Sequence, residues 1–178
     1  PDNDDIGKSI IAAAPLSAPG TAGRVLRYIV DFAIDGTDQL PGARVTAGRH
    51  LERKGSAEEA IDSIIYTHAA LCGTQGFVTN LGGFAALAIA VPANVVGVTL
   101  VQCHLVAGIA HLRGYDLEDP RVRNAILACM LGKDTVHGLV KHQRLPSSPM
   151  ALATSPVHDP ELDATLSREV TSELVART

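Results

Sequence analysis

The sequence predicts an all-α protein, a helical bundle of about six to seven helices around a buried, charge-free central helical hairpin or kinked helix. Three observations carry this. Apolar residues recur at three- and four-residue spacing, and no stretch alternates cleanly at period two. Helix start and stop signals punctuate the chain: Ser56-Ala-Glu-Glu59, Asp119-Pro120 and Asp159-Pro160 open segments, and Gly36, Gly55, Gly73, Gly114 and Gly132 close them. From Ser63 to Leu112 the chain runs fifty residues without an Asp, Glu, Lys or Arg; all nineteen acids and fifteen bases lie elsewhere. Only the interior of a bundle or material that meets a membrane suits such a run, because neither tolerates unpaired charge.

Residues 1–20 form an irregular lead-in, with Pro15 and Pro19 breaking any long helix. A helical core follows over 21–142. Thr21 can cap its first helix, whose stripe is Val25, Leu26, Ile29, Val30, Phe32 and Ala33, with Arg27 and Asp31 one turn apart as an ion pair. Pro41-Gly42 turns the chain into a weaker second helix that ends at Lys54-Gly55. The capping box at Ser56 starts a third, which runs to about Cys72. Gly73–Gly83 reads as a loop. Phe84–Val91 and Ala93–Leu112 read as helices either side of Pro92, which kinks one long helix or opens the second. Asp119-Pro120 starts the next helix, with Val122, Ile126, Cys129 and Met130 on one face. Residues 143–158, rich in Pro, Ser and Thr, read as an exposed linker. Residues 159–178 read as a C-terminal amphipathic helix with a Leu162, Leu166, Val170, Leu174 seam.

A chain of 178 residues fits one domain. With 3% aromatic residues and no Trp, its core must come from Ala, Val, Leu, Ile and Gly, which allow close approach of backbones. A net charge of −4 with no Lys or Arg cluster argues against nucleic acid as a partner. Cys72, Cys103 and Cys129 are odd in number, lie in apolar segments and form no CxxC, so they read as reduced core residues. The acidic start, Asp2, Asp4 and Asp5, does not resemble a secretory leader. Together these predict a cytoplasmic protein.

The apolar run divides the readings. Phe84 to Val101 approaches the ~20 residues that span a bilayer. Pro92 and Asn94 interrupt it, however, and no cationic or Trp/Tyr anchors mark its ends, which favours buried helices over a span. Peripheral membrane contact stays open. On the 93–112 helix, Gly97, His104, Gly108 and His111 fall within about 40° of one line. Glycines beside histidines mark close packing where an imidazole reaches a buried partner. Asn80, Asn94 and Gln102 complete the candidate packing or binding face. His68 and Cys72, four apart on the third helix, can face the same space. The metal candidates are therefore His68, His104 and His111, and a transition metal such as zinc is the ion that neutral imidazole would hold. The spacing matches no zinc signature, and satisfied core histidines are the simpler reading. His111, Arg113 and Asp116 are the catalytic candidates, with an Arg113–Asp116 pair as the structural alternative. Gly76, Gly82 and Gly83 lack the lysine and the preceding strand of a phosphate loop.

Three blocks of sequence, Gly76-Phe-Val-Thr-Asn-Leu-Gly-Gly83, Pro92-Ala-Asn94 and Ala110-His-Leu-Arg-Gly-Tyr-Asp116 with Asp119-Pro120, resemble the EcsC family of bacterial proteins. Ile126-Leu-Ala-Cys-Met-Leu-Gly132 fits the same pattern, and the similarity covers roughly residues 20–135. The resemblance implies a largely helical fold with no assigned activity, and a founding member encoded beside an ABC transporter hints at work near membranes. Family members usually continue from the last helix into another apolar, glycine-rich segment, which is absent here. A shortened member would leave apolar surface around residues 84–112 uncovered and would self-associate.

Three functions are expected from these readings. The first is a non-enzymatic helical binding module that associates with an apolar partner, a lipid or a membrane transport component. The second is a metal-dependent hydrolase that uses the central histidines, with Asp116 as a base. The third is a structural subunit that packs into a homo-oligomer.

Overall fold

The computed structural model describes residues 19–36, 41–73 and 93–176. Among them the regular structure is helical, in eight segments: α1 Pro19–Asp35, α2 Ala43–Lys54, α3 Ala57–Gly73, α4 Ala93–Leu112, α5 Pro120–Met130, α6 Lys133–Lys141, α7 Pro149–Ala153 and α8 Pro160–Ala176. The only strand-like feature among the described residues is one antiparallel bridge, Gly36 to Pro41. The all-α bundle is what the sequence predicts. The expected helix over 84–91, the loop after Gly73, the Pro92 junction and Asn80 lie outside the described residues.

α1 starts at Pro19, two residues before Thr21, because proline's fixed φ suits a first helical position. Its buried face is Val25, Leu26, Ile29, Val30, Ala33 and Ile34; Phe32 is only partly covered. Gly36, at φ 73°, then turns the chain in the left-handed region. Gly42 enters α2 where a Cβ would stand 2.3 Å from the Ile34 carbonyl oxygen, so only glycine allows this return against the end of α1. α2 ends at Gly55, at φ 80°, whose N–H donates to the Leu51 carbonyl. Ser56 then caps α3 by accepting from the Glu59 N–H at 3.3 Å. A turn this short makes α2 and α3 neighbours.

α4 is the central element and packs against α1, α2, α3 and α5. Leu100, Cys103 and Ala107 are fully covered, yet Gln102 and Val98 face outward, so the charge-free run is not buried on every side. Among the described residues no helix is long and apolar enough to cross a membrane. α5 starts as its signal predicts, with Pro120 in the first turn and Asp119 accepting from the Arg121 N–H at 2.8 Å. It carries the densest core, from Asn124 through Ala128.

Three expectations need correction. Residues 143–158 are mostly exposed, as expected, but they are not a bare linker: Ser148 caps the short α7, and Leu145 and Leu152 are buried against the core. Two leucines are enough to fix the segment, since each gains about 1.5–3 kcal/mol on burial. Arg27 and Asp31 turn to other helices rather than to each other. Arg27 reaches α8, where it donates to the Asp163 carbonyl oxygen at 2.9 Å, and Asp31 pairs with Arg123 of α5 at 2.5 Å. Arg113 pairs with Glu58 across the α3–α4 interface, while the Asp116 carboxylate accepts from the Glu118 N–H at 3.0 Å.

Candidate functional site

α2, α3 and α4 bring a chain of polar groups into the interior. His68 on α3 and His104 on α4 are 4% and 9% exposed. His68 Nε2 lies 2.8 Å from His104 Nδ1, and the rings stack with centroids 5.0 Å apart. The outer nitrogens face oxygen: His68 Nδ1 is 2.8 Å from the Ile64 carbonyl, and His104 Nε2 is 3.1 Å from the Pro41 carbonyl and 3.5 Å from Thr46 Oγ1. His50 on α2 is also buried, with Nδ1 2.9 Å from Ser63 Oγ. Gly108, one turn beyond His104, clears the space: a Cβ there would stand 2.7 Å from Ile64 Cδ1. The glycine-and-histidine face of α4 therefore meets α2 and α3, and Gly97 is buried on the same helix.

Counting protons limits how the pair is wired. Two carbonyls and one ring-to-ring bond need three ring protons, whereas two neutral imidazoles supply two. Burial opposes the third. It lowers the pKa of His68, and that of His104 to about 4, more than the Ile64 and Pro41 carbonyls raise them. Both rings are thus neutral at pH 7. With the ring-to-ring bond made, one of the two carbonyls faces a bare ring nitrogen, and the shorter contact, 2.8 Å to Ile64 against 3.1 Å to Pro41, favours the proton on His68 Nδ1. In that arrangement His104 Nδ1 donates to His68 Nε2, and His104 Nε2 accepts from the Thr46 hydroxyl at 3.5 Å.

Of the candidate metal ligands, the structure brings together His68 and His104 but not His111. That residue lies seven positions further on, about 10 Å along the axis at 1.5 Å per residue, and is half-buried in the last turn of α4. Each ring of the pair also has an oxygen partner on its outer nitrogen. A zinc with bonds of about 2.0–2.1 Å holds its nitrogens more than ~3 Å apart, so the pair would have to open to admit one. Among the described residues no three His, Cys, Asp or Glu side chains converge as a metal set. Arg113 and Asp116, exposed at the end of α4, turn to Glu58 and to the Glu118 N–H rather than to each other. Asn94 sits in the first turn of α4. Sequence reasoning missed His50, Thr46 and the Pro41 carbonyl; His50 at three residues from Ala47, on a helix with few apolar positions, was the available signal.

On the opposite side of α4 the surface is concave and apolar. A cleft of about 430 Å³ lies between α4, α5 and α7, walled by Val106, Ile109, Val122, Ile126 and Ala153. A second, of about 470 Å³, continues along α5 to Val136 and Val140 of α6. Cys129 and Pro149 border both, so the two clefts adjoin. Arg113 lines the first cleft, and Lys133 and His137 line the second. The Cys129 thiol is pushed up by its apolar surroundings, and that of the fully enclosed Cys103 to about 12, so neither is an activated nucleophile. No protein-family model matches the chain, nor does any curated protein or solved structure.

Proposed function

We propose that this chain is a non-enzymatic binding module of the EcsC type whose groove along α5 takes the acyl chain of a lipid or fatty acid. One observation carries the reading: two adjoining apolar clefts of about 430 and 470 Å³, each with a cationic residue in its lining. Each cleft is within the ~300–1,000 Å³ typical of ligand sites. The walls are aliphatic, which suits a methylene chain at about 0.8 kcal/mol per buried CH₂. Arg113 or Lys133 would meet a carboxylate or phosphate at the end of such a chain.

Titration with an environment-sensitive fluorescent fatty acid tests the proposal. Saturable binding with a blue shift is expected, and Ala153→Trp, which fills the groove from α7, should weaken it at least tenfold without changing the helical content. If binding does not saturate, or if Ala153→Trp leaves it unchanged, the groove is not the site and the reading fails.

A further inference from the structure

α6 turns one face to the cleft of about 470 Å³: Lys133, Val136, His137 and Val140 all line it. At 100° per residue these four positions fall within an arc of about 100°. Val136 is buried and Val140 half-buried, as a helix packed on the core requires. Lys133 and His137 stand one turn apart beside them, in a lining that is otherwise mostly apolar. Helix packing does not call for a lysine there, because α6 has an outer face that carries Asp134 and Lys141, both exposed.

Lys133 and His137 are also uncommitted. Among the described residues neither makes a hydrogen bond or ion pair, and no acid lines the cleft. At the start of α7, Ser148 Oγ accepts from the Ala151 N–H at 3.5 Å, which leaves its own proton free to donate into the same lining. An ammonium, an imidazole N–H and a hydroxyl thus border one apolar cleft. The cation of the adjoining cleft is in a different state: both arms of the Arg113 fork donate to the Glu58 carboxylate.

We propose that the ligand of these clefts is an unesterified fatty acid whose carboxylate is held by Lys133, His137 and Ser148. The inference rests on the reading of the clefts as an acyl site, and adds which head group they accept and which residues hold it. A carboxylate suits because Lys133 offers one permanent positive charge, which a single negative charge balances. The free donors are also separate points rather than the planar fork that matches phosphate oxygens two at a time. The methylene chain then lies against Val136, Val140 and the aliphatic walls of the adjoining cleft.

Displacement of the neutral fluorophore N-phenyl-1-naphthylamine from the intact chain tests this, with dodecanoate, methyl dodecanoate and dodecyl phosphate as competitors. Dodecanoate is expected to compete roughly tenfold or more better than its methyl ester, and dodecyl phosphate no better than dodecanoate. Lys133→Gln should remove most of the preference for the acid, and His137→Gln part of it. Lys133→Arg, which keeps the charge, should retain it, and so should Arg113→Gln. Lys133 and His137 are exposed, so these substitutions leave the core filled, and circular dichroism checks the helical content of each variant. An ester that competes as well as the acid, a phosphate that outcompetes it, or a preference that Arg113→Gln removes and Lys133→Gln does not, overturns the head-group site while the acyl reading stands. A probe that does not bind, or that no competitor displaces, overturns both.

Discussion

Two polar interfaces hold this bundle together, and they do so by opposite means. Deep between α2, α3 and α4 the buried polar groups are neutral: His50 against Ser63, and His68 against His104 and Thr46. Between α1, α5 and α8 they are largely charged: Arg27, Asp31, Arg123 and Asp163, with side chains 21% to 47% exposed. The difference follows depth. A charge close to water keeps most of its hydration, whereas one placed at the His68–His104 position would lose nearly all of it. The fifty-residue stretch without charge is the sequence record of the first interface, and the arginines of α1 and α5 are the record of the second.

The largest effect should come from breaking the neutral interface. His104→Ala leaves His68 Nε2 facing a cavity and removes the partner of Thr46, at a cost of about 2–4 kcal/mol in chemical denaturation. His104→Gln, which can keep one hydrogen bond, should lose less.

Acid comes next, and it should act on this interface more than on the other. An imidazole held neutral in the fold is protonated first in the unfolded chain. Between about pH 6.5 and 4 the unfolded state therefore binds more protons, and stability falls as pH falls. The stabilisation is complete above about pH 6.5 and is lost on approach to the His104 value of about 4, a change on the order of 3 kcal/mol. Thermal melts across this range should show the slope in the native chain. The double variant His68→Gln, His104→Gln should flatten it; an unchanged slope would place the titration elsewhere.

The smallest effect belongs to the charged interface. Burial raises the pKa of Asp31 even though Arg123 and its hydrogen bond lower it, so the pair gains little over a neutral contact. Asp31→Asn should cost less than about 1 kcal/mol in dilute buffer and nothing measurable in high salt. A larger, salt-independent loss would mean that this interface is as dry as the other.

What could be read in the sequence was whatever local chemistry decides. Ser56, Asp119-Pro120 and the left-handed glycines at 36, 55, 114 and 132 act within a turn or two of themselves, and each marks a boundary in the structure. The pairing of His68 with His104 was legible in part, because Gly108 and His104 share a face. The Pro41 carbonyl, Thr46 and His50 were not, since they join the pair only through the way α2 lies across α3 and α4. α6 went unassigned, and residues 143–158 misled for the opposite reason. Prolines and serines dominate that segment, while only two leucines anchor it, and two isolated apolar residues make no period. Arg27 and Asp31 show the same limit: spacing permitted a pair within one helix, and packing gave each a partner on another.

The contact between α1 and α8 also has a kinetic meaning. Arg27 and Ser167 are 140 residues apart in sequence, whereas α2 and α3 are joined by Gly55 and Ser56 alone. Loop closure costs more entropy as the loop lengthens, so the α2–α3 hairpin can form early and the crossing of α1 with α8 is the natural last step. The contact of Arg27 with Ser167, built on that crossing, would come into being only when the whole chain has folded, and it would be lost with the first helix to detach.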